Sequence, residues 1–122
     1  MSRDFRKLHV FQIADELLLL VYQKTSGFPA VERYSLQAQL RRAALSTSTN
    51  IVEGSARRTT REYLNFINIA AGSATEARYL SDVSRRLGYI PEKEAADLVT
   101  RYTELSARLQ ALLVSLSSGP KP

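Results

Sequence analysis

Apolar residues recur along this chain every three or four positions, and no two-residue alternation persists, so the pattern predicts helices and no strands. A first helix is expected over about 8–24, with Phe11, Ala14, Leu17, Leu18, Val21 and Tyr22 on a broad apolar face. A Thr-Ser-Gly-Phe-Pro loop ends it at Pro29. A second helix is expected over about 34–56, with Leu36, Leu40, Ala43, Thr47, Asn50 and Ile51 on one side. Thr59 and Glu62 have capping-box spacing and open a third helix over 60–87. Its inward residues are Tyr63, Phe66, Ile67, Ala70, Ala74, Ala77, Leu80 and Leu87. Gly88 is expected as its C-cap, and Pro91 at the first turn of the helix that follows.

The fourth segment, 91–116, has the most regular pattern. Ala95, Leu98, Tyr102, Leu105, Leu109, Leu112 and Leu116 are separated alternately by 3 and 4 residues. That spacing is the seam of a helix packed at a shallow crossing angle. Four helices with short connections predict an all-α fold, an antiparallel up-down-up-down four-helix bundle forming one domain over 1–122. The tail Ser117–Pro122 is expected to fray.

Composition narrows the chemistry. With no cysteine among 122 residues, disulfides and thiolate sites are excluded. The apolar run Leu17–Val21 is too short to span a membrane, and Met1–Lys7 is not followed by a cleavable apolar segment. A soluble, cytoplasmic protein is expected. Di-metal sites in helix bundles use Glu-x-x-His pairs, whereas the single histidine, His9, starts a helix and has no glutamate three residues before it. Ser46, Thr47, Ser48 and Thr49 have no histidine base nearby in sequence. No phosphate-binding glycine loop is present, and Gly72 reads as a point of close helix approach. The expectation is a non-enzymatic protein without a cofactor or metal.

Charge is what remains. Arg33, Arg41, Arg42, Arg57, Arg58 and Arg61 face one acid, Glu53, so the stretch 33–61 holds a surplus equal to the whole chain's net charge of +5. A surplus confined to one stretch suggests a basic surface for an anionic partner, nucleic acid first among them. Arg42, Ser46, Asn50 and Glu53 stack along one helix face. They form either a structural polar ladder, with Glu53 neutralising an arginine and Asn50 bonding across the bundle, or part of a ligand groove. Arg57, Arg58 and Arg61 gather where the second and third helices meet. Arg61 lies in a first helical turn, where the macrodipole disfavours cations and a bound phosphate would offset the repulsion. Tyr63 could stack on an exposed base or pack in the core, and Tyr79 and Tyr89 could anchor subunit contacts.

Several of these residues form a wider pattern. Phe28-Pro29, Glu32-Arg-Tyr-Ser-Leu36, Gln39-Leu-Arg-Arg-Ala43, Asn50-Ile-Val-Glu-Gly54, Glu62-Tyr63, Ile69-Ala-Ala-Gly-Ser-Ala74 and Leu87-Gly-Tyr89 resemble the four-helix-bundle proteins encoded within intervening sequences of bacterial 23S ribosomal RNA genes. Val52 stands where that family usually has alanine. The resemblance implies a bundle assembled as a homopentameric ring. The family is similar to the accessory variability determinant of diversity-generating retroelements, a basic pentamer that binds a reverse transcriptase and nucleic acid. The residues that match the motif are Arg41, Arg42, Asn50, Glu53 and Gly54, and the resemblance leaves open whether they serve assembly or a ligand.

Two functions therefore compete. In one, an oligomer binds RNA or DNA through Arg41, Arg57, Arg58 and Arg61, while Arg42, Ser46, Asn50, Glu53 and Gly54 organise the bundle or its assembly. In the other, the chain is a scaffold or accessory subunit for a reverse transcriptase or RNA-processing enzyme.

Overall fold

The computed structural model describes residues 3–117. Within them lie four long helices and no strand: α1 His9–Thr25, α2 Leu36–Ser55, α3 Thr60–Arg86 and α4 Glu92–Ser117. Short 3-10 turns at Phe5–Lys7 and Ala30–Glu32 precede α1 and α2. Ser117 closes α4, and the rest of the tail expected to fray lies outside the described residues.

Each helix packs against two others, α1 on α2 and α4, and α3 on α2 and α4. The core between them holds Leu17, Val21, Leu40, Ile51, Tyr63, Ile67, Leu98, Tyr102, Leu105 and Leu109. The α4 seam lies as its spacing predicts: Ala95, Leu98, Tyr102, Leu105 and Leu109 are buried, and Leu112 and Leu116 pack half-buried at its end. Burying each such leucine contributes roughly 1.5–3 kcal/mol.

The apolar face of α1 is rotated from the one expected. Val10, Ala14, Leu17, Val21 and Thr25 are buried, Phe11 and Leu18 are half-buried, and Tyr22 is exposed. In α3, Phe66 and Leu80 are half-buried, and Leu87 is 53% exposed because it lies beyond the last helical turn.

Small residues bring α2 and α3 together. Ala43, Ala44, Thr47, Ser48, Gly54 and Ser55 are buried on α2, and Ala70, Ala71, Ala74, Ala77, Ser81 and Ser84 on α3. Three buried hydroxyls in this region are satisfied within their own helices: Thr47 donates to the Ala43 carbonyl, Ser81 to Ala77 and Ser84 to Leu80, each at 2.8 Å. The Ser48 hydroxyl has no partner among the described residues. Ser46 Oγ and Ser73 Oγ share a 2.8 Å hydrogen bond between the two helices.

Gly54, not Gly72, is the point of close approach. A Cβ on Gly54 would stand 2.8 Å from Phe66 Cβ and 3.3 Å from Tyr63 Cδ1, whereas a Cβ on Gly72 would meet nothing within 4 Å.

The helix ends follow their sequence signals closely. Thr59 caps α3, its Oγ1 accepting from the Glu62 N–H at 3.1 Å. Gly88 adopts φ +76°, and α3 ends in a Schellman motif: the Gly88 N–H donates to the Arg85 carbonyl and the Tyr89 N–H to that of Ser84. Pro91 stands one residue before α4, its carbonyl accepting from the Ala95 N–H at 2.9 Å. The second helix begins at Leu36 rather than near 34, because Pro29 leads into the 3-10 turn and Ser35 leaves helical geometry at φ −120°, ψ −110°. Tyr34 is consequently 89% exposed.

Candidate nucleic-acid interface

The basic residues of the stretch 33–61 separate into three environments. Arg41 turns back onto α1. Its Nε donates to the buried Thr25 Oγ1 at 2.8 Å, its Nη2 to the Tyr22 carbonyl at 3.3 Å, and its guanidinium lies 4.5 Å from the centre of the Tyr22 ring. A cation at a helix C-terminus satisfies orphan carbonyls and complements the macrodipole, so Arg41 holds α1 to α2. Arg33 and Arg42 are exposed. Arg57, Arg58 and Arg61 occupy the α2–α3 junction.

The polar ladder on α2 is partly realised. Asn50 Nδ2 donates to Ser46 O at 2.8 Å and Ser46 Oγ at 3.1 Å, so it bonds within its own helix rather than across the bundle. Ser46 makes the inter-helix contact instead, through Ser73. Glu53 is exposed, and its carboxylate lies beyond 4.0 Å of every basic group among the described residues. The expected neutralisation of an arginine by Glu53 does not occur. What α2 offers near that position is the Glu53 carbonyl, which accepts from Arg57 Nε at 3.1 Å.

At the junction, Arg57 also stacks its guanidinium 4.9 Å from the Phe66 ring centre. Arg58 and Arg61 are exposed. A fourth arginine joins them that charge counting along 33–61 does not find. The Arg3 N–H donates to the Ser55 carbonyl at 2.7 Å, and its guanidinium lies 4.0 Å from the centre of the Tyr63 ring. The available signal was the basic character of Met1–Lys7, which holds Arg3, Arg6 and Lys7 against Asp4. Because acids elsewhere balance these charges, the chain-wide sum concealed them.

This corner groups four arginines that have no ion-pair partner among the described residues. No carboxylate among the described residues lies within 4.0 Å of Arg3, Arg57, Arg58 or Arg61. Six cations elsewhere are paired: Arg6 with Asp4, Lys24 with Glu94, Arg85 with Asp82 and Glu92, Arg86 with Asp82, Arg101 with Glu16 and Asp97, and Arg108 with Glu104. Lys7, Arg33, Arg41, Arg42, Arg78 and Lys93 have no carboxylate within 4.0 Å among the described residues. The hydrogen bonds that Arg85 donates to Asp82 and Arg101 to Glu16 lead the effects that raise the pKa values of the two arginines. Within the corner, Asp4 is held below the ordinary carboxylate range chiefly by its hydrogen bond from the Arg6 side chain.

For Tyr63 the core reading holds, and the helix end near Arg61 gains a second feature. Tyr63 is 1% exposed, so no base can stack on it, and burial raises its pKa against the opposing effect of Arg3. The α3 N-terminus already has an anion: Glu62 lies in its first turn, where it offsets the repulsion of Arg61 and accepts from the Thr59 hydroxyl at 2.9 Å. The arginine side chains, rather than the helix end, carry the positive field.

Other candidate positions lie apart. Tyr79 is 61% exposed beside Arg86 on the outer face of α3. Tyr89 packs on Phe28 and donates its hydroxyl to Glu32 Oε2 at 3.0 Å, which ties the α3–α4 turn to the α1–α2 connection. That bond leads the causes that raise the Tyr89 pKa. His9 is exposed and borders an open groove of about 410 Å³ with Val10, Arg108, Ala111, Leu112 and Ser115. Among the described residues no group of three His, Cys, Asp or Glu side chains could hold a metal, and no helix is long and apolar enough to cross a membrane.

A family model described as 23S rRNA-intervening sequence protein matches residues 6–111. Comparison with curated proteins finds no match. Among solved structures, the chain is similar to a Bacteroides thetaiotaomicron protein described as having unknown function and coming from the S23 ribosomal protein family. The TM-score is 0.77 and the identity 21%, over 85% of this chain and 97% of that one. At that identity the likeness establishes the fold.

Proposed function

The chain belongs to the 23S rRNA-intervening sequence protein family, and we propose that it is a non-enzymatic, oligomeric, cytoplasmic protein that binds nucleic acid at the arginine corner between α2 and α3. The observation that carries this reading is the contrast in pairing. Arg3, Arg57, Arg58 and Arg61 come together at one corner without a carboxylate within 4.0 Å among the described residues, while Arg6, Lys24, Arg85, Arg86, Arg101 and Arg108 are ion-paired. The other unpaired cations, Lys7, Arg33, Arg41, Arg42, Arg78 and Lys93, belong to no such group of four. A field left uncompensated at one place attracts polyanions, and each neutralised phosphate releases counterions.

The helices take the antiparallel up-down-up-down course. Contacts that support it run in opposite sequence directions along neighbouring helices. Gln39 reaches Glu76 and Ser46 reaches Ser73; Lys24 reaches Glu94 and Glu16 reaches Arg101. The homopentameric ring is the assembly that the family resemblance implies. Exposed Leu19, Val31, Tyr34, Leu45, Ile69 and Tyr79 support self-association of some order. Repetition of the corner around a ring would let modest phosphate contacts add by avidity. The cysteine-free sequence fits a reducing compartment.

Fluorescence titrations of structured RNA and duplex DNA at several salt concentrations test the binding, and light scattering counts the subunits. Reversing Arg57, Arg58 and Arg61 to glutamate should abolish binding without loss of helicity. Absence of binding by the wild-type protein at low salt would refute the reading. Exposed Val31 and Tyr34 favour a second reading, an accessory subunit that docks a reverse transcriptase or RNA-processing enzyme. A reverse-transcriptase gene beside this one would support it.

A further inference from the structure

We propose that Arg3 and Arg57 form a pre-oriented pair of guanidinium groups that grips the phosphodiester backbone, so that the N-terminal segment is half of the interface. This inference rests on the nucleic-acid reading above and names the contact that performs it. Tyr63 and Phe66 are neighbours one turn apart on α3, and Gly54 nestles against both. Arg3 lies on the Tyr63 ring and Arg57 on the Phe66 ring. Both arms are also tied to the last turn of α2, Arg3 through its backbone N–H to Ser55 and Arg57 through Nε to Glu53.

A guanidinium held over a ring has less freedom than a solvated one, and N–H groups it does not use within the protein stay available to a ligand. Arg57 uses Nε within the protein, and among the described residues neither of its terminal nitrogens makes a hydrogen bond and the Arg3 side chain makes none. Those free edges match the paired oxygens of a phosphate, which arginine binds in bidentate fashion. Little side-chain entropy is then lost on binding, which is the advantage of preorganisation. Asp4 does not neutralise the pair, because it accepts from the Arg6 side chain. A contact of this kind reads phosphate and ignores base and sugar.

The test uses the full chain and a short fluorescent oligonucleotide, prepared as RNA and as DNA of the same sequence. Arg3→Met keeps apolar cover over Tyr63 while removing the charge. It should weaken binding of both probes by about tenfold at low salt and lower the salt slope by about one counterion. Arg57→Lys keeps the charge but loses the fork, so it should weaken binding several-fold with the slope retained. Arg3→Lys is the matching control and should behave as Arg57→Lys does.

Wild-type binding that Arg58→Ala and Arg61→Ala weaken, but Arg3→Met and Arg57→Lys leave unchanged, would overturn the pair while sparing the parent reading. A loss confined to the RNA probe would overturn it too, since it would reveal a ribose contact. Failure of the wild-type protein to bind either probe overturns both.

Discussion

Arg41 Nε donates a 2.8 Å hydrogen bond to Thr25 Oγ1, and Thr25 Oγ1 in turn donates at 2.7 Å to the Val21 carbonyl. One arginine thereby seals the last turn of α1 against α2. Arg41→Ala would leave a buried hydroxyl without its donor and the Tyr22 carbonyl without its guanidinium partner. The expected cost is about 1–3 kcal/mol of stability, read from urea denaturation. Nucleic-acid affinity measured on the folded fraction should not change, because this arginine faces α1 and not the α2–α3 corner.

Gly54 and Gly72 should respond in opposite ways to alanine. At Gly54 the new methyl would meet Phe66 Cβ at 2.8 Å, and neither helix can yield cheaply. Gly54→Ala should lower stability by about 1–3 kcal/mol through overpacking. Gly72 lies in mid-helix with open space around its Cβ position, so Gly72→Ala should stabilise by up to about 1 kcal/mol through helix propensity. Paired thermal melts check both signs.

The Tyr102 hydroxyl is buried and makes no hydrogen bond among the described residues. Tyr102→Phe removes a desolvated polar group and keeps the ring, so it should be neutral or stabilising by about 1 kcal/mol. A clear loss of stability on denaturant unfolding would contradict this.

Alkaline pH should unfold the protein. Burial raises the Tyr102 and Tyr63 pKa values in the fold, whereas an unfolded tyrosine ionises near pH 10. Below about pH 10 both states keep the phenol protons and the stabilisation is complete. Above it the unfolded chain loses them first, binds fewer protons than the native state, and stability falls as pH rises. Circular dichroism across pH 9–12 should show this loss, and Tyr102→Phe should shift it to higher pH.

The legible part of the structure is the part that depends on local rules. The α4 seam, the Thr59 cap and the Gly88 C-cap each follow from residues within a turn or two of one another. The face of α1 was less legible, because Phe11, Leu18 and Tyr22 are as apolar as Val10 and Val21. Only the directions of α2 and α4 decide which of them is covered. Asn50 and Glu53 show the same limit. Their spacing on one face is a helical fact, but their partners depend on which atoms other helices bring near.

The sequence by itself determined four helices, their caps, and an arginine surplus over 33–61, since helix periodicity and charge are properties of short stretches. Tertiary structure decided what each arginine does. Packing placed Arg41 against the end of α1 and brought Arg3 onto the Tyr63 ring, one turn along α3 from the Phe66 ring that Arg57 covers, at a corner that Gly54 lets close. Charge can be counted in one dimension, but compensation depends on distance in three.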